Sequence, residues 1–328
     1  MEDTGLQANG LYRHKPQARK EGKGLVQHRF VSIGECMIEM SGGEDRQYRL
    51  GYAGDTLNTA WYMRALLGAD WSVDYFTALG ADKYSSDIKA FLDANHIGTS
   101  HIRTVPDRRP GLYMIHQADG DRHFTYWRDT SAAKLLADDK DVLAKAVEGA
   151  SMVYFSGITL AILAPRARGR LLGAIVRARD NGAKIVFDTN LRPALWTSPR
   201  VMASVLTAAA SLCDIVLPTH GDEAPLFGDK NVDETADRYL ELGVEEVVVK
   251  DGAGDALIAT ANERVRVAPQ PGANVVDATG AGDSFNGAYL SARLAGRSLR
   301  EAAEAAHHVA RVVIGQKGAL VDPKLVSL

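Results

Sequence analysis

The sequence has few cysteines, no long apolar run and no strong excess of either charge. Two cysteines, Cys36 and Cys213, are too few for a disulfide framework and provide no metal-ligand pair, and they suit a reducing cytosol. No apolar run is long enough to span a bilayer. A formal net charge of -3 argues against nucleic-acid and anionic-membrane partners. We therefore expect a cytoplasmic protein that binds neither nucleic acids nor membranes.

The N-terminal residues 1–28 also lack the features of folded structure. They are polar, without hydrophobic periodicity, and they contain no apolar signal-peptide core. We predict an extension over residues 1–28 and one folded domain over residues 29–328. That length is sufficient for a sizeable core.

The second half of the chain alternates strand-like and helical segments. Apolar segments at 152–155, 184–187, 215–217 and 246–250 are separated by helical patterns such as 166–180 and 200–211. This order predicts an α/β domain with a mainly parallel sheet covered by helices on both faces. Ligands of such sheets bind at the carboxyl ends of the strands. Polar residues follow the predicted strands there, at 188–192, 219–223, 251–252 and 277–283.

A β-rich interruption in the first half predicts a second, smaller sheet. Segments 111–116 and 123–128 are strand-like, and the residues between them, 118–121, form a strong hairpin turn signal. Residues 30–40 resemble one strand, and residues 47–50 a returning strand. We predict a small β-sheet lid that stands off the main domain, formed by about 38–50 and 110–128.

The stretch from Asp277 to Asp283 is the strongest candidate for chemistry. It follows an extended segment at 274–276, and apolar residues after it recur at helical spacing. A helix start leaves backbone N–H groups unpaired, and the small residues Gly280, Ala281 and Gly282 would let an anion approach them. The carboxylate of Asp283 could accept a proton from a hydroxyl. Spacing alone leaves open that Asp283 only stabilises a helix N-terminus.

Residues 277–290 resemble the C-terminal signature of the ribokinase-like, or PfkB, carbohydrate kinases, and the similarity extends over nearly all of residues 29–328. The N-terminal motif of the family is similar to residues 54–60, although Asp55-Thr56 replaces a more usual Gly or Ala pair. The resemblance implies a ribokinase-like three-layer sandwich. It also implies that Asp283 is the catalytic base and that Gly280, Ala281 and Gly282 form the anion hole for the transferring phosphoryl group.

Within the family, the sequence is most similar to the kinases of 2-keto-3-deoxygluconate. The segments that match are 34–39, 54–59, 110–113, 126–128, 156–163 and 192–196. The implied reaction is ATP-dependent phosphorylation of the terminal hydroxyl of that sugar acid, which gives the 6-phosphate.

A sugar-acid substrate requires a partner for its carboxylate, and an arginine fork binds a carboxylate bidentately. Arg128 and Arg192 are the candidates, although each could instead form a structural ion pair. Tyr113 and Tyr126 offer apolar faces and hydroxyls for sugar recognition, or they are packing residues. By resemblance, the contacts to the sugar hydroxyls are Gly54, Asp55, Asn58 and Asp283.

The resemblance also predicts a nucleotide site and a metal. The nucleotide is expected beside the turn at 250–254, with Lys250, Gly252, Gly254, Gly280 and Gly282 as contacts. ATP-dependent transfer implies Mg²⁺. Glu223 matches the glutamate of the family's Asn-x-x-Glu magnesium motif, but His220 replaces the asparagine, which leaves that role open. A monovalent-cation requirement is also open, and an exposed lid edge favours a homodimer or higher oligomer.

Other functions stay open at this point. A ribokinase-like kinase of fructose or of a related keto-deoxy acid would have the same motifs. A non-catalytic sugar-acid sensor is disfavoured, because it needs no base beside an anion hole. A dehydrogenase is weaker still, since no Gly-x-Gly-x-x-Gly opens a βαβ unit.

Overall fold

A computed structural model of the chain describes residues 28–42, 47–118, 121–272 and 274–328, without the side chains of residues 117, 118, 121 and 122. The predicted extension over residues 1–28 lies outside the described residues except for His28, which begins the first strand. In these ranges, every helix is too short or too polar to cross a membrane.

The strands are, in chain order, β1 (His28–Ile33), β2 (Met37–Gly42), β3 (Tyr48–Ala53), β4 (Trp71–Phe76), β5 (Ala78–Leu79), β6 (Ile97–Gly98), β7 (Arg103–Thr104), β8 (Gly111–Ala118), β9 (Asp121–Trp127), β10 (Met152–Ser156), β11 (Lys184–Asp188), β12 (Ile215–Val216), β13 (Glu246–Val249), β14 (Ala256–Thr260) and β15 (Arg264–Val267).

The helices are α1 (Asp55–Leu66), α2 (Lys83–Ala94), α3 (Lys140–Val147), α4 (Gly157–Ile162), α5 (Pro165–Asp180), α6 (Pro199–Ala210), α7 (His220–Phe227), α8 (Val232–Leu240), α9 (Ala281–Leu294) and α10 (Leu299–Ile314). Short 3-10 turns occur at Ala132–Leu135, Pro193–Leu195 and Pro323–Leu325.

The main sheet has the strand order β15-β14-β13-β12-β11-β10-β1-β4-β6. The strands from β13 to β6 in that order pair in parallel, and β14 and β15 add an antiparallel edge. Alternate side chains of each strand face opposite sides, so Val153 and Phe155 belong to one hydrophobic core, and Met152 and Tyr154 to the other. Helices α3, α5, α6 and α8 cover the first face, and α1, α2, α9 and α10 cover the second. The predicted three-layer α/β architecture is confirmed.

The small sheet has the order β3-β2-β8-β9, and it is separate from the main sheet. Its strands β8 and β9 form the predicted antiparallel hairpin, and β3 returns antiparallel to β2. The prediction of one strand over residues 30–40 is wrong. The chain leaves the main sheet after Ile33 and enters the small sheet at Met37, so Gly34–Cys36 connects two sheets. Residues 274–276, predicted as the end of an extended segment, belong to no strand.

Close packing of two helices brings the proposed catalytic residues together. A Cβ atom at Gly287 of α9 would lie 2.7 Å from Cβ of Tyr62 in α1, so a side chain at that position would push the helices apart. Both helices begin at the same edge of the main sheet, where the parallel strands end. As a result, the first turn of α1 and the first turn of α9 face the same cleft.

Candidate active site

A cleft with a volume of about 760 Å³ lies between the carboxyl ends of the parallel strands and the small sheet. Asp188 and Lys250 line it from the strand ends, Asp55 and Asp283 from helix starts, and Arg128 from the small sheet. Three of the four polar segments predicted at this edge of the sheet contribute residues to the cleft, namely 188–192, 219–223 and 277–283, whereas residues 251–252 do not line it.

The carboxylate of Asp277 stabilises the glycine turn before α9 through two hydrogen bonds. Its Oδ1 accepts a hydrogen bond from the Thr279 amide at 2.9 Å, and its Oδ2 accepts one from the Gly318 amide at 2.7 Å. Gly280 has a left-handed φ of 77°, and a Cβ atom there would lie 2.9 Å from the Ala319 backbone. A Cβ atom at Gly282 would meet no described atom within 4 Å. Gly280 thus fits the fold, whereas the space at Gly282 is left for a ligand.

Asp283 is the third residue of α9, and it lines the cleft beside this turn. No side chain caps the helix start, and Asp283 Oδ2 instead accepts a hydrogen bond of 2.7 Å from Asn58 Nδ2 of α1. Burial of the carboxylate and the nearby charge of Asp55 raise the pKa of Asp283 to about 7, although Asn58 and Lys250 act in the opposite direction. A carboxylate with that pKa can exchange a proton near neutral pH.

Asp55 begins α1 and faces Asp283 across the cleft. Its side chain does not cap the helix; its Oδ2 accepts a hydrogen bond of 2.8 Å from Asn190 Nδ2. Burial raises the pKa of Asp55, and the charge of Asp188 adds to that effect. The N-cap, Gly54, is required by close packing, because a Cβ atom there would lie 2.1 Å from the carbonyl oxygen of Glu35.

Lys250, predicted as a nucleotide contact, lines the cleft within a hydrogen-bond network. Its Nζ lies 3.3 Å from Asp188 Oδ1 and 3.0 Å from Asn286 Oδ1, and its side chain is mostly buried. Asn286 Nδ2 in turn donates to Asp188 Oδ2 at 2.9 Å and to the hydroxyl of Tyr154 at 3.2 Å. This hydrogen-bond network was not predicted from the sequence. Its four members, Lys250, Asp188, Asn286 and Tyr154, come from four separate parts of the fold.

The two predicted carboxylate-binding arginines both line the cleft, but their surroundings differ. Arg128 Nη2 hydrogen-bonds Oε2 of the buried Glu35, so the alternative of an ion pair is also realised. Arg192 Nη1 donates to its neighbour's carbonyl and lies 3.9 Å from Asp222 Oδ2, and half of its side chain is exposed. The charges of both arginines lower the pKa of Tyr126 against the effect of burial, so both guanidinium groups lie near that ring.

The two predicted tyrosines also line the cleft. Tyr126 is half-exposed, and its ring centroid lies 5.7 Å from that of Tyr113. Tyr113 is buried, and its hydroxyl hydrogen-bonds Glu39. The ring of Tyr113 therefore contributes an apolar wall, and its hydroxyl is already paired within the small sheet.

Three predicted site residues do not line the cleft. Gly252 and Gly254 lie in the turn between β13 and β14, where the Gly254 amide donates to the Asp251 carbonyl. Glu223 is fully buried, and its Oε2 accepts hydrogen bonds from Arg238 at 2.8 Å and Tyr239 at 2.9 Å. Both hydrogen bonds use Oε2, and Glu223 does not line the cleft.

Comparison with known proteins agrees with this geometry. A family model described as pfkB family carbohydrate kinase matches residues 27–324. The 2-dehydro-3-deoxygluconokinase of Dickeya dadantii (strain 3937) is 40% identical over 296 residues, which cover 88% of this chain and 95% of that protein. The 2-dehydro-3-deoxygluconokinase of Escherichia coli (strain K12) is 39% identical over 300 residues, which cover 89% of this chain and 97% of that protein.

Solved structures give the same result. A protein from E. coli named Ribokinase II, in complex with ATP and Mg²⁺, superposes with a TM-score of 0.76 at 25% identity. The superposition covers 90% of this chain and 94% of that one. The resemblance seen in the sequence is therefore confirmed, and the chain belongs to the pfkB family of carbohydrate kinases.

Proposed function

We propose that the protein catalyses ATP-dependent phosphorylation of the terminal hydroxyl of 2-keto-3-deoxygluconate to the 6-phosphate. The observation on which this depends most is the position of Asp283. Its carboxylate, with a pKa raised to about 7, lies beside the glycine turn of α9 in a cleft that also contains two arginines. The activity named for the relatives at 39–40% identity supports the same reaction.

In this reaction Asp283 accepts the proton of the terminal hydroxyl, and the hydroxyl oxygen forms a bond to the γ-phosphorus of ATP. The bond between that phosphorus and the β–γ bridging oxygen breaks, and ADP leaves with the bond's electron pair. The start of α9 carries partial positive charge and is therefore suited to the charge on the transferring group. Asn58 orients the Asp283 carboxylate from α1 through its 2.7 Å hydrogen bond.

The sugar acid is placed with its carboxylate toward Arg128 and Arg192 and its carbon chain along the rings of Tyr113 and Tyr126. Two guanidinium groups in one cleft favour an acidic substrate, because their contacts with Glu35 and Asp222 leave N–H donors that a substrate carboxylate can use. Asp55 and Asn58 are then close enough to the reacting end to bind hydroxyls, next to Asp283.

The cleft also fits Mg²⁺ together with bound phosphates. Among the described residues, no three His, Cys, Asp or Glu side chains form a metal-binding group. Mg²⁺ commonly uses only one or two carboxylates plus waters and phosphate oxygens. Asp188 and Asp222 line the cleft and are the candidates. Burial is the main cause of the raised pKa values of Asp55 and Asp283, and repulsion from neighbouring acids adds to it, which supports a cation there. Mg²⁺ would neutralise the phosphates during transfer.

We also propose that the small sheet acts as a lid and mediates a homodimer. Its edge strands are β3 and β9, and Tyr48, Leu50 and Trp127 expose apolar surface on them. Association would cover both the edges and the apolar side chains. Sedimentation equilibrium measures the mass directly, and a monomer at micromolar concentration would refute the dimer.

The free, buried cysteines Cys36 and Cys213 accord with the expected cytoplasmic location.

The decisive experiment is a coupled ADP-release assay with ATP and Mg²⁺. The substrates are 2-keto-3-deoxygluconate, its neutral carboxamide analogue, related keto-deoxy acids and fructose. We expect the highest kcat/KM with 2-keto-3-deoxygluconate and a product phosphorylated at C6. A preference for fructose would refute the sugar-acid assignment and leave the kinase assignment. Repeating the assay with tetramethylammonium in place of K⁺ tests the monovalent-cation requirement.

A further inference from the structure

Arg128 is held in the cleft by Glu35, a residue to which the proposed reaction gives no role. Glu35 is 2% exposed, and the side chain of Arg128 is 12% exposed. Arg128 Nη2 donates a hydrogen bond to Glu35 Oε2. Burial raises the pKa of Glu35, whereas the positive charge of Arg128 acts in the opposite direction. This ion pair therefore restricts the orientation of the Arg128 side chain in the cleft.

The pair also links two places at which the chain passes between the main domain and the small sheet. Glu35 lies in the connection from β1 to β2, where the chain enters that sheet, and Arg128 directly follows β9, where the chain leaves it. A Cβ atom at Gly111, the first residue of β8, would lie 2.9 Å from Glu35 Oε1 and 3.2 Å from Arg128 Cβ. The backbone of Glu35 contacts Gly54, the N-cap of α1. Glu35 is therefore packed among both connections and the start of the helix that presents Asp55.

The contact with Glu35 leaves part of the guanidinium group for a ligand. It uses Nη2, and Arg128 Nη1 donates to no acceptor among the residues that the structure describes. Arg128 lines the cleft, so a substrate carboxylate can reach Nη1, whereas Nε is buried. Arg192, in contrast, is half-exposed; it donates to the carbonyl of its neighbour Leu191 and lies 3.9 Å from Asp222. Only one of the two arginines is fixed in advance.

We propose that Glu35 is a positioning residue that determines specificity for acidic substrates by fixing the Arg128 guanidinium toward the substrate carboxylate. The inference depends on the proposed function, since it requires a substrate with a carboxylate. It assigns Glu35 no contact with the substrate. Because binding through a pre-oriented group costs less conformational entropy, loss of Glu35 should weaken acid binding specifically.

The test is steady-state kinetics of Glu35→Ala with 2-keto-3-deoxygluconate and with its carboxamide. We expect KM for the acid to rise about tenfold, the size of one lost charged contact, with KM for the carboxamide and for ATP changed less than about twofold. Glu35→Gln retains an oxygen acceptor for Nη2, so it should restore most of the lost affinity. If Glu35→Ala does not fold, Glu35→Asp provides the test, because its shorter side chain withdraws the carboxylate from Nη2 and should raise KM for the acid in the same way.

Double-mutant cycles identify the residue through which Glu35 acts. In an Arg128→Ala background, Glu35→Ala should change KM for the acid by less than about twofold, whereas in an Arg192→Ala background the full effect should remain. Glu246→Ala is the matched control. It breaks a buried contact with Arg293 at the opposite end of β13, so it should lower stability without changing the ratio of the two KM values.

Three results would overturn the inference. One is an equal rise of KM for the acid and the carboxamide in Glu35→Ala, and another is an undiminished effect of Glu35→Ala in the Arg128→Ala background. Both would leave the proposed function intact if the parent enzyme prefers the acid. A parent enzyme that does not distinguish the acid from its carboxamide would refute the proposed function and, with it, this inference.

Discussion

Replacing Asp283 with asparagine should abolish most of the activity while preserving the local geometry. Asparagine has the same shape and can still hydrogen-bond Asn58, but it cannot accept the hydroxyl proton. General-base catalysis typically contributes about 10²–10⁴-fold, so kcat should fall by about that factor with little change in the KM for ATP. In the parent enzyme, a base with a pKa of about 7 is only about one-tenth ionised at pH 6. The parent kcat/KM should therefore fall about tenfold for each pH unit below 7.

The same substitution should make the folded protein more stable at high pH. The folded state raises the pKa of Asp283 from an ordinary value of 3.8 to about 7, so the unfolded chain loses this proton at a lower pH. The free energy of unfolding of the parent therefore decreases as pH rises from 3.8 to 7, and the full penalty is present above pH 7. At about 1.4 kcal/mol per pKa unit, Asp283→Asn should gain up to about 3 kcal/mol relative to the parent between pH 5 and pH 8. Partial solvent screening reduces this upper limit.

Urea unfolding of the parent and of Asp283→Asn at pH 5 and pH 8 measures that difference, and the coupled assay measures kcat. Asp141→Asn is a matched control, because Asp141 is an exposed acid in the first turn of α3. It should change neither kcat nor the pH dependence of stability. Turnover of Asp283→Asn within a few-fold of the parent would show that Asp283 is only a helix-start acid. A stability difference from the parent that is equal at both pH values would contradict its raised pKa.

The remaining predictions concern charge and space around Asp283. Asp55→Asn removes a charge that raises the pKa of Asp283, and Lys250→Met removes one that lowers it. The acid limb of the kcat/KM profile should thus move to lower pH in Asp55→Asn and to higher pH in Lys250→Met. If the limb moves in the same direction in both variants, these two charges do not set the pKa of Asp283 as described. Arg192→Lys should raise KM for the sugar acid by about one to two decades with unchanged KM for ATP, since an ammonium group lacks the planar fork; equal losses with the carboxamide would indicate a structural role. Gly282→Val should keep the parent Tm and raise KM for ATP about tenfold or more, because the added side chain enters ligand space; unchanged ATP kinetics would exclude the anion hole.

The alternation of strands and helices made the architecture predictable, because it fixes a parallel sheet with two covered faces. The boundary between the two sheets could not be predicted in the same way. Apolar residues continue on both sides of Gly34–Cys36, so periodicity gives no sign of a break. The reason for the break is tertiary: a Cβ atom at Gly34 would lie 2.2 Å from Thr56 Oγ1, where α1 packs against the end of β1.

Residue type and spacing identified Asp283 and the glycine turn, but not the partners of the site residues. Lys250 is a predicted nucleotide contact because the family resemblance places the nucleotide beside the turn at 250–254. In the structure it binds Asp188, which is 62 positions away in the sequence, and Asn286, which is 36 positions away. Such partners depend on which strand ends are adjacent in the sheet and on the placement of α9. Without the strand order, no local pattern distinguishes a lysine that binds a ligand from one that pairs with protein side chains in the cleft.

For an arginine, forming a structural ion pair and binding a substrate carboxylate are not mutually exclusive roles. A guanidinium group has five N–H donors, so Arg128 can bind Glu35 and still offer donors to the cleft. Arg192 donates to the carbonyl of its neighbour Leu191, and its exposed contact of 3.9 Å with Asp222 adds little to fix it. Binding a carboxylate should therefore order Arg192 more than Arg128. The pre-oriented arginine lies at the end of the small sheet and the adaptable one on the main domain, so the substrate acid can join the two parts of the molecule through groups of unequal freedom.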